Sequence, residues 1–188
     1  MTTGYLIEDQ SALYYLTLQV VGWIDVFSRQ RYRDIIIDSL AYCQKNKGLQ
    51  VFAYVIMTNH VHLIVNSPLG GLSETIRDFK KFTSKAIIKS IKTETESRRD
   101  WMLELFKRYA DSHERNTGFQ FWTHENHAIV LYSNSFIEEK LTYLHENPVR
   151  AGLVEKPEDY LYSSAQNSSG CNGILDVLML SVRWKTFH

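Results

Sequence analysis

The chain has 188 residues, of which 44% are hydrophobic, so it is long enough for one medium-sized domain with a proper core. Its 21 basic and 21 acidic side chains cancel, which excludes a global positive charge as the basis of nucleic-acid binding. The two cysteines, Cys43 and Cys171, exclude a disulfide framework and a Cys-x-x-Cys metal pair. Without a signal-peptide pattern or a run of about 20 apolar residues, we expect a cytoplasmic protein.

The first part of the chain alternates apolar segments with an amphipathic one. Residues 12–21 form a near-continuous apolar and aromatic run, which is typical of a central strand. Apolar residues at helical spacing predict a helix over 29–45, which a turn sequence ends. Two more strands, 49–57 and 60–65, are predicted on either side of a tight turn.

The second part of the chain contains three predicted helices. One begins near Leu72, another covers 99–109, and a third opens with a capping box formed by Ser135 and Glu138 and ends at Pro148. Between the second and third of these helices, the segments 119–123 and 128–131 are predicted to form an interrupted fourth strand. Residues 174–184 are expected to be a short packing element.

The order of these elements is strand, helix, strand, strand, helix, strand. This order is typical of the split βαβ, or ferredoxin-like, plan that RNA-recognition domains share. We therefore predict an α+β fold with an antiparallel sheet, helices on one face, and an added C-terminal helix that carries Tyr143. The expected organisation is one domain over 1–165 and a short C-terminal extension over 166–188.

Two histidines stand two residues apart on the predicted third strand. Residues i and i+2 of a strand share a face, so the imidazoles of His60 and His62 should project together while Val61 points to the other side. Two neutral imidazoles held in this way supply much of a divalent metal site. The alternative is that both are half-buried sheet histidines with ordinary hydrogen-bond partners.

The helix that begins near Leu72 carries a basic stripe. Arg77, Lys81, Lys85 and Lys89 recur at intervals of four residues, and few acidic side chains lie beside them. A basic ridge without partners suits contact with a phosphate backbone, although a charged helix face is also an ordinary solvated surface. We treat the four residues as candidate DNA-binding positions.

Tyr143 and Asn147 lie four residues apart on the last predicted helix, so their side chains can share a face. Proline at 148 makes the placement of Asn147 less regular than that of Tyr143. An ordinary alternative for Tyr143 is an interface tyrosine with its ring packed and its hydroxyl in water.

Five stretches of the chain form a recognisable set, namely YVIMTNHVH at 54–62, FKKFTSK at 79–85, FW at 121–122, YLHENPVRAGLV at 143–154 and PEDYLYSS at 157–164. Together they resemble the REP-associated tyrosine transposases, relatives of the insertion-sequence transposases that carry a His-hydrophobic-His motif. The resemblance covers most of the chain between 54 and 164. One departure is Thr58, where a proline is common in the family, and it changes the turn rather than the histidines.

The resemblance implies a nucleophilic Tyr143, with His60, His62 and Asn147 binding Mg²⁺ or Mn²⁺. It implies cleavage and rejoining of single-stranded DNA through a 5′-phosphotyrosine, at repeats that contain a hairpin. Because a phenol with a reference pKa of about 10 is a poor nucleophile, a divalent ion that polarises the phosphate suits this chemistry. Relatives exist as self-contained monomers or as homodimers with shared sites, and both remain open for this chain.

Two other functions stay open at this stage. The first is a non-catalytic or domesticated nucleic-acid-binding protein, because a ferredoxin-like sheet is also an RNA-recognition architecture. The second is a zinc-dependent hydrolase that uses His60, His62, His124 and His127, which predicts activity that survives the loss of Tyr143.

Overall fold

The computed structural model describes residues 6–112 and 118–180 and contains one four-stranded antiparallel sheet. The strands are β1 (Tyr14–Gln19), β2 (Gln50–Ile56), β3 (His60–Asn66) and β4 (Ile129–Val130), in the order β2-β3-β1-β4. The helices are α1 (Gln30–Lys47), α2 (Leu72–Thr93), α3 (Arg99–Asp111), α4 (Asn134–Arg150) and α5 (Ala165–Ser168). This strand order and these connections confirm the predicted ferredoxin-like α+β fold.

The two central strands place the histidines on one face. In the antiparallel pairing of β1 with β3, Thr17 lies opposite His62 and Leu18 lies opposite Val61. Val61 is fully buried, as are the apolar residues that alternate with the histidines along β3. Helix α4 contacts β2 and β3 and lies over the histidine face, so this face is partly covered rather than open.

Both long edges of the sheet are covered by irregular segments. The predicted interrupted fourth strand lies along β1 and the residues that flank it, with β4 in its second segment and an isolated bridge from Val20 to Trp122 in its first. Val21 N donates to Phe121 O and Leu131 N donates to Leu13 O, with residues 124–127 between the two segments. On the other edge, Ile56 N donates to Tyr162 O at 2.9 Å. Paired edges of this kind satisfy backbone groups that would otherwise invite pairing with another chain.

The predicted boundaries of α4 were wrong at both ends. Ser133, not Ser135, is the N-cap, because its backbone is extended and its Oγ accepts from Phe136 N at 3.3 Å. Pro148 does not end the helix, which continues to Arg150. A proline removes only one donor, and Ala151 N still donates to Asn147 O at 3.0 Å beyond it.

The chain after α5 returns to the body of the protein. Leu178 N donates to Val51 O at 2.9 Å, Gln44 Nε2 donates to Asp176 O at 2.9 Å, and Leu175 is buried. The predicted packing element at 174–184 extends beyond the described residues after 180, and the division of the chain at 165 stays a prediction. Within 6–112 and 118–180, no helix has the length and apolarity to cross a membrane.

Candidate metal and tyrosine site

His60 and His62 lie side by side on β3. Their ring centroids are 4.6 Å apart, with the ring planes at 69°. The shared face that the sequence predicted for the two imidazoles is therefore observed. This arrangement presents two nitrogen ligands of fixed spacing from one rigid strand.

Hydrogen bonds occupy the Nδ1 atom of each imidazole. Nδ1 of His62 lies 2.9 Å from Thr17 Oγ1, and Nδ1 of His60 lies 2.7 Å from Asn59 Oδ1. The Asn59 amide nitrogen donates to Asp25 Oδ1 at 3.0 Å, which leaves its carbonyl oxygen to accept from His60. Because Nδ1 of each ring is engaged in this way, Nε2 is the nitrogen that each ring can offer to a metal.

Burial keeps both imidazoles neutral. It lowers the pKa of His60 to about 4, and it lowers the pKa of His62 to about 3, where the neighbouring His60 contributes as well. An imidazole must be neutral to bind a metal ion. At neutral pH the pair is therefore in the form that a divalent cation requires.

Helix α4 brings Tyr143 to the histidine pair. The Tyr143 ring lies 6.0 Å from the His62 ring and 6.5 Å from the Tyr15 ring, and 42% of the residue is exposed. The guanidinium carbon of Arg150 lies 4.5 Å from the Tyr143 ring centroid. A phenol that is partly exposed beside two imidazoles can reach a phosphate bound at the same place.

Asn147 lies one helical turn beyond Tyr143. Its amide nitrogen donates to Tyr143 O at 3.3 Å, so its orientation is set by its own helix. Within the described part of the chain, its side-chain oxygen Oδ1 makes no hydrogen bond. That oxygen is consequently the atom that Asn147 can offer as a ligand.

Two residues of the site were missed by sequence reasoning. Tyr15 stacks on His62 with ring centroids 5.3 Å apart, and its buried hydroxyl has no hydrogen-bond partner among the described residues. Arg150 is the other, and its spacing of two helical turns from Tyr143 is a signal that could have found it. Tyr15 could be found only from the register of β1 on β3.

His145 fastens α4 to the edge of the sheet. Its Nε2 lies 2.9 Å from Ser164 Oγ, and burial lowers its pKa to about 4. Ser164 also pairs with β2, since its N donates to Tyr54 O at 2.9 Å. This contact fixes the helix that carries Tyr143.

The basic stripe of α2 is only partly free of partners. Lys81, Lys85 and Lys89 are exposed and make no ion pair with any described residue, whereas Arg77 lies 3.5 Å from Asp78. The stripe is therefore largely unpaired, as the few acidic side chains beside it indicated, and Arg77 is the exception because Asp78 is within its reach. Arg77 and Lys81 line a pocket of about 420 Å³ between α2 and residues 119–126.

Lys80 differs from the stripe residues because it is half-buried and hydrogen-bonded. Its Nζ donates to Thr123 O at 2.8 Å and to Asn126 Oδ1 at 2.7 Å, and burial lowers its pKa to about 8. Lys80 therefore holds the loop between the two segments of the interrupted strand against α2.

The four-histidine zinc site is not supported. Over residues 6–112 and 118–180, no three His, Cys, Asp or Glu side chains are grouped so that they could hold a metal. His124 lines the pocket beside α2, and His127 lies 3.9 Å from Glu125. A metal centre at His60 and His62 must therefore be completed by other ligand types.

Comparisons with known proteins point in one direction. Residues 24–108 match a family described as transposase, IS200 like. The chain is also similar to a solved REP-associated tyrosine transposase bound to a REP hairpin, with 16% identity, a TM-score of 0.56, and coverage of 95% of this chain and 94% of that chain. No curated protein matches the chain significantly. The likeness to the solved structure shows the fold, and the matches confirm the resemblance that the sequence motifs indicated.

Proposed function

We propose, from the confirmed resemblance to the IS200-like transposases, that this protein cleaves and rejoins single-stranded DNA through a covalent tyrosine link. The observation that carries the proposal is the position of the Tyr143 ring, 6.0 Å from His62 in a pair of neutral imidazoles. The matched family stretch contains both histidines and ends before α4. The role of Tyr143 therefore rests on the geometry of α4 and on the motif at 143–154.

The side chains suit a divalent cation. Nε2 of His60 and of His62 and the carbonyl oxygen of Asn147 would hold it, with water completing the shell. Imidazole and amide ligands suit Mn²⁺ better than Mg²⁺, which prefers oxygen. When bound, the ion would polarise the scissile phosphate and stabilise the charge that develops on it.

Tyr143 would act as the nucleophile. Its phenolic oxygen forms a bond to phosphorus while the bond from phosphorus to the 3′ oxygen breaks. The phenol proton leaves to solvent, which reaches the exposed side of the ring. The departing 3′ oxygen takes up a proton from solvent, so that the released strand ends in a 3′-hydroxyl. One ester replaces another, so a 3′-hydroxyl can attack the phosphotyrosine and rejoin strands without ATP.

The proposed substrate is single-stranded DNA beside a hairpin. An in-line attack requires an accessible phosphate, and the solved transposase of similar fold is described as bound to a REP hairpin. We place the hairpin backbone along the exposed lysines of α2, namely Lys81, Lys85 and Lys89, with Arg77 beside them. Ridges of this type bind phosphates without reading the sequence.

The test is covalent capture. Oligonucleotides that carry the repeat hairpin found beside the gene would be incubated with Mn²⁺ and examined on denaturing gels for a protein–DNA adduct. We expect an adduct with the wild type, none with Tyr143→Phe and none after chelation, while Tyr132→Phe behaves as wild type. Tyr132 is a matched control because it is exposed just before α4.

Two results would contradict the proposal. Hairpin binding without an adduct would indicate a domesticated DNA-binding protein. Cleavage that persists in Tyr143→Phe would exclude the tyrosine mechanism.

A further inference from the structure

Trp23 is an exposed aromatic side chain at the edge of the candidate site. It lies in the 3-10 turn Val21–Trp23 that follows β1, and 61% of the residue is exposed. Its ring centroid is 6.3 Å from that of His60, with the ring planes at 77°. An exposed indole beside a candidate metal ligand presents a flat aromatic surface on which a base can stack.

The backbone that presents Trp23 is strained. Trp23 has φ +55° and the preceding Gly22 has φ +62°, both in the left-handed region. Such angles are unusual for a bulky residue and persist only where the surroundings enforce them. Tyr109 of α3 packs on Gly22 so closely that a Cβ there would lie 2.9 Å from the ring, which helps to hold the turn.

Asn59 connects Trp23 to His60. Its amide nitrogen lies 3.3 Å from Trp23 O, and its carbonyl oxygen lies 2.7 Å from Nδ1 of His60. One side chain therefore positions both the strained turn and the imidazole. The indole is held at a defined place relative to the candidate metal ligands, although its ring faces solvent.

We propose that Trp23 is the stacking platform for an unpaired base of the DNA strand next to the phosphate that is cleaved. This inference rests on the proposed function and adds a nucleotide-binding position to it. Successive nucleotides of one strand rise about 3.4 Å along the axis of B-DNA and more in an extended strand. The 6.3 Å between the Trp23 and His60 ring centroids therefore corresponds to a separation of about one or two nucleotides. An aromatic ring accepts any base and strengthens binding by about tenfold to a hundredfold.

The test uses fluorescence of 2-aminopurine, which stacking on an indole quenches. The probe is the repeat-hairpin oligonucleotide with 2-aminopurine placed in turn at each position of its single-stranded flank. All proteins carry Tyr143→Phe so that the strand stays intact. We expect quenching at one or two adjacent positions, with most of it lost in Trp23→Gly and part of it retained in Trp23→Phe.

The chosen variants separate stacking from folding. Glycine adopts a positive φ without strain, so Trp23→Gly removes the ring and should preserve the turn. Binding of Mn²⁺, measured by calorimetry, should be unchanged and would confirm that the histidine pair is intact. The matched control is Trp101→Leu, because Trp101 is similarly exposed, at 52%, but lies on α3.

Each outcome decides the matter. Quenching that is unchanged in Trp23→Gly, or that is lost equally in Trp101→Leu, would overturn the proposal and leave Trp23 as a surface for another partner. If no covalent adduct forms but quenching depends on Trp23, the stacking site stands and the proposed cleavage fails. If adducts form and quenching is independent of Trp23, only the stacking site fails.

Discussion

The guanidinium carbon of Arg150 lies 4.5 Å from the centroid of the Tyr143 ring, across two turns of α4. Stacking of a cation on a phenol restrains the ring and places a positive charge where a phosphate would approach. Tyr143 is therefore restrained between Arg150 and the aromatic pair formed by Tyr15 and His62.

The first prediction concerns this contact. Arg150→Ala should slow adduct formation by about fivefold or more, since an exposed cation–π contact contributes roughly 0.5–1 kcal/mol and the charge near the phosphate adds to it. Arg150→Lys should recover part of the rate. The measurement is the initial rate of adduct formation with the hairpin oligonucleotide.

A control for Arg150 lies on the same helix. Lys140 Nζ is 5.1 Å from the Phe136 ring centroid, a similar contact one turn before Tyr143. Lys140→Ala should leave the rate unchanged. An equal loss in both variants would mean that the charge of α4 as a whole, rather than the Arg150 contact, supports the reaction.

The second prediction concerns the buried hydroxyl of Tyr15. Burying a hydroxyl without a hydrogen bond costs about 1–3 kcal/mol, so Tyr15→Phe should raise the free energy of unfolding by roughly 1 kcal/mol. Tyr54 is a matched comparison, because its hydroxyl is also buried and has no hydrogen-bond partner within the described residues. Urea unfolding of Tyr15→Phe and Tyr54→Phe should give increases of similar size. A clear decrease for Tyr15→Phe would show that its hydroxyl is satisfied in solution.

The third prediction concerns acid stability. Burial lowers the pKa of His60 and of His145 from the ordinary 6.5 to about 4, and it lowers the pKa of His62 to about 3. Between pH 6.5 and pH 4 these imidazoles bind protons only when the chain unfolds. Their contribution to stability is therefore complete above pH 6.5 and is lost as the pH falls toward 4, at about 1.4 kcal/mol per histidine for each pH unit.

His145→Gln tests this linkage without changing the candidate metal ligands His60 and His62. The glutamine side-chain amide can make the hydrogen bond to Ser164 Oγ that His145 makes, and it does not titrate. The free energy of unfolding is measured with urea in the absence of metal at several pH values. Between pH 6 and pH 4.5, its slope against pH should be about one third smaller in His145→Gln than in the wild type. An unchanged slope would mean that His145 is protonated in the folded protein.

Much of the fold follows from local patterns in the sequence. The strands at 49–57 and 60–65 are apolar and β-branched, and alternation along β3 is sufficient to place His60 and His62 on one face. The predicted start of α4 was wrong because two nearby residues are candidates for its N-cap. Ser133 and Ser135 are both able to cap, and only the backbone angles decide between them.

The rest of the site depends on pairing between distant segments. Tyr15 stacks on His62 only because β1 and β3 pair in one register, and nothing within either segment specifies that register. The link from Trp23 through Asn59 to His60 joins a turn to a hairpin 36 residues later in the chain. Contacts of this kind follow from the tertiary arrangement and leave no periodic signal in the sequence.

The fourth prediction concerns the stripe on α2. Lys81, Lys85 and Lys89 make no ion pair within the described residues, so replacing all three by alanine should weaken binding of the hairpin oligonucleotide at low salt. The slope of log K against log salt should become shallower by about 2–3, since each phosphate contact contributes roughly 0.7–0.9 to it. Arg77→Ala should have a smaller effect than any single lysine, because Arg77 already lies close to Asp78 and Glu74. Lys107→Ala, on the exposed side of α3, controls for the change in net charge. If Lys107→Ala weakens oligonucleotide binding as much as replacement of a lysine of α2 does, the hairpin binds elsewhere.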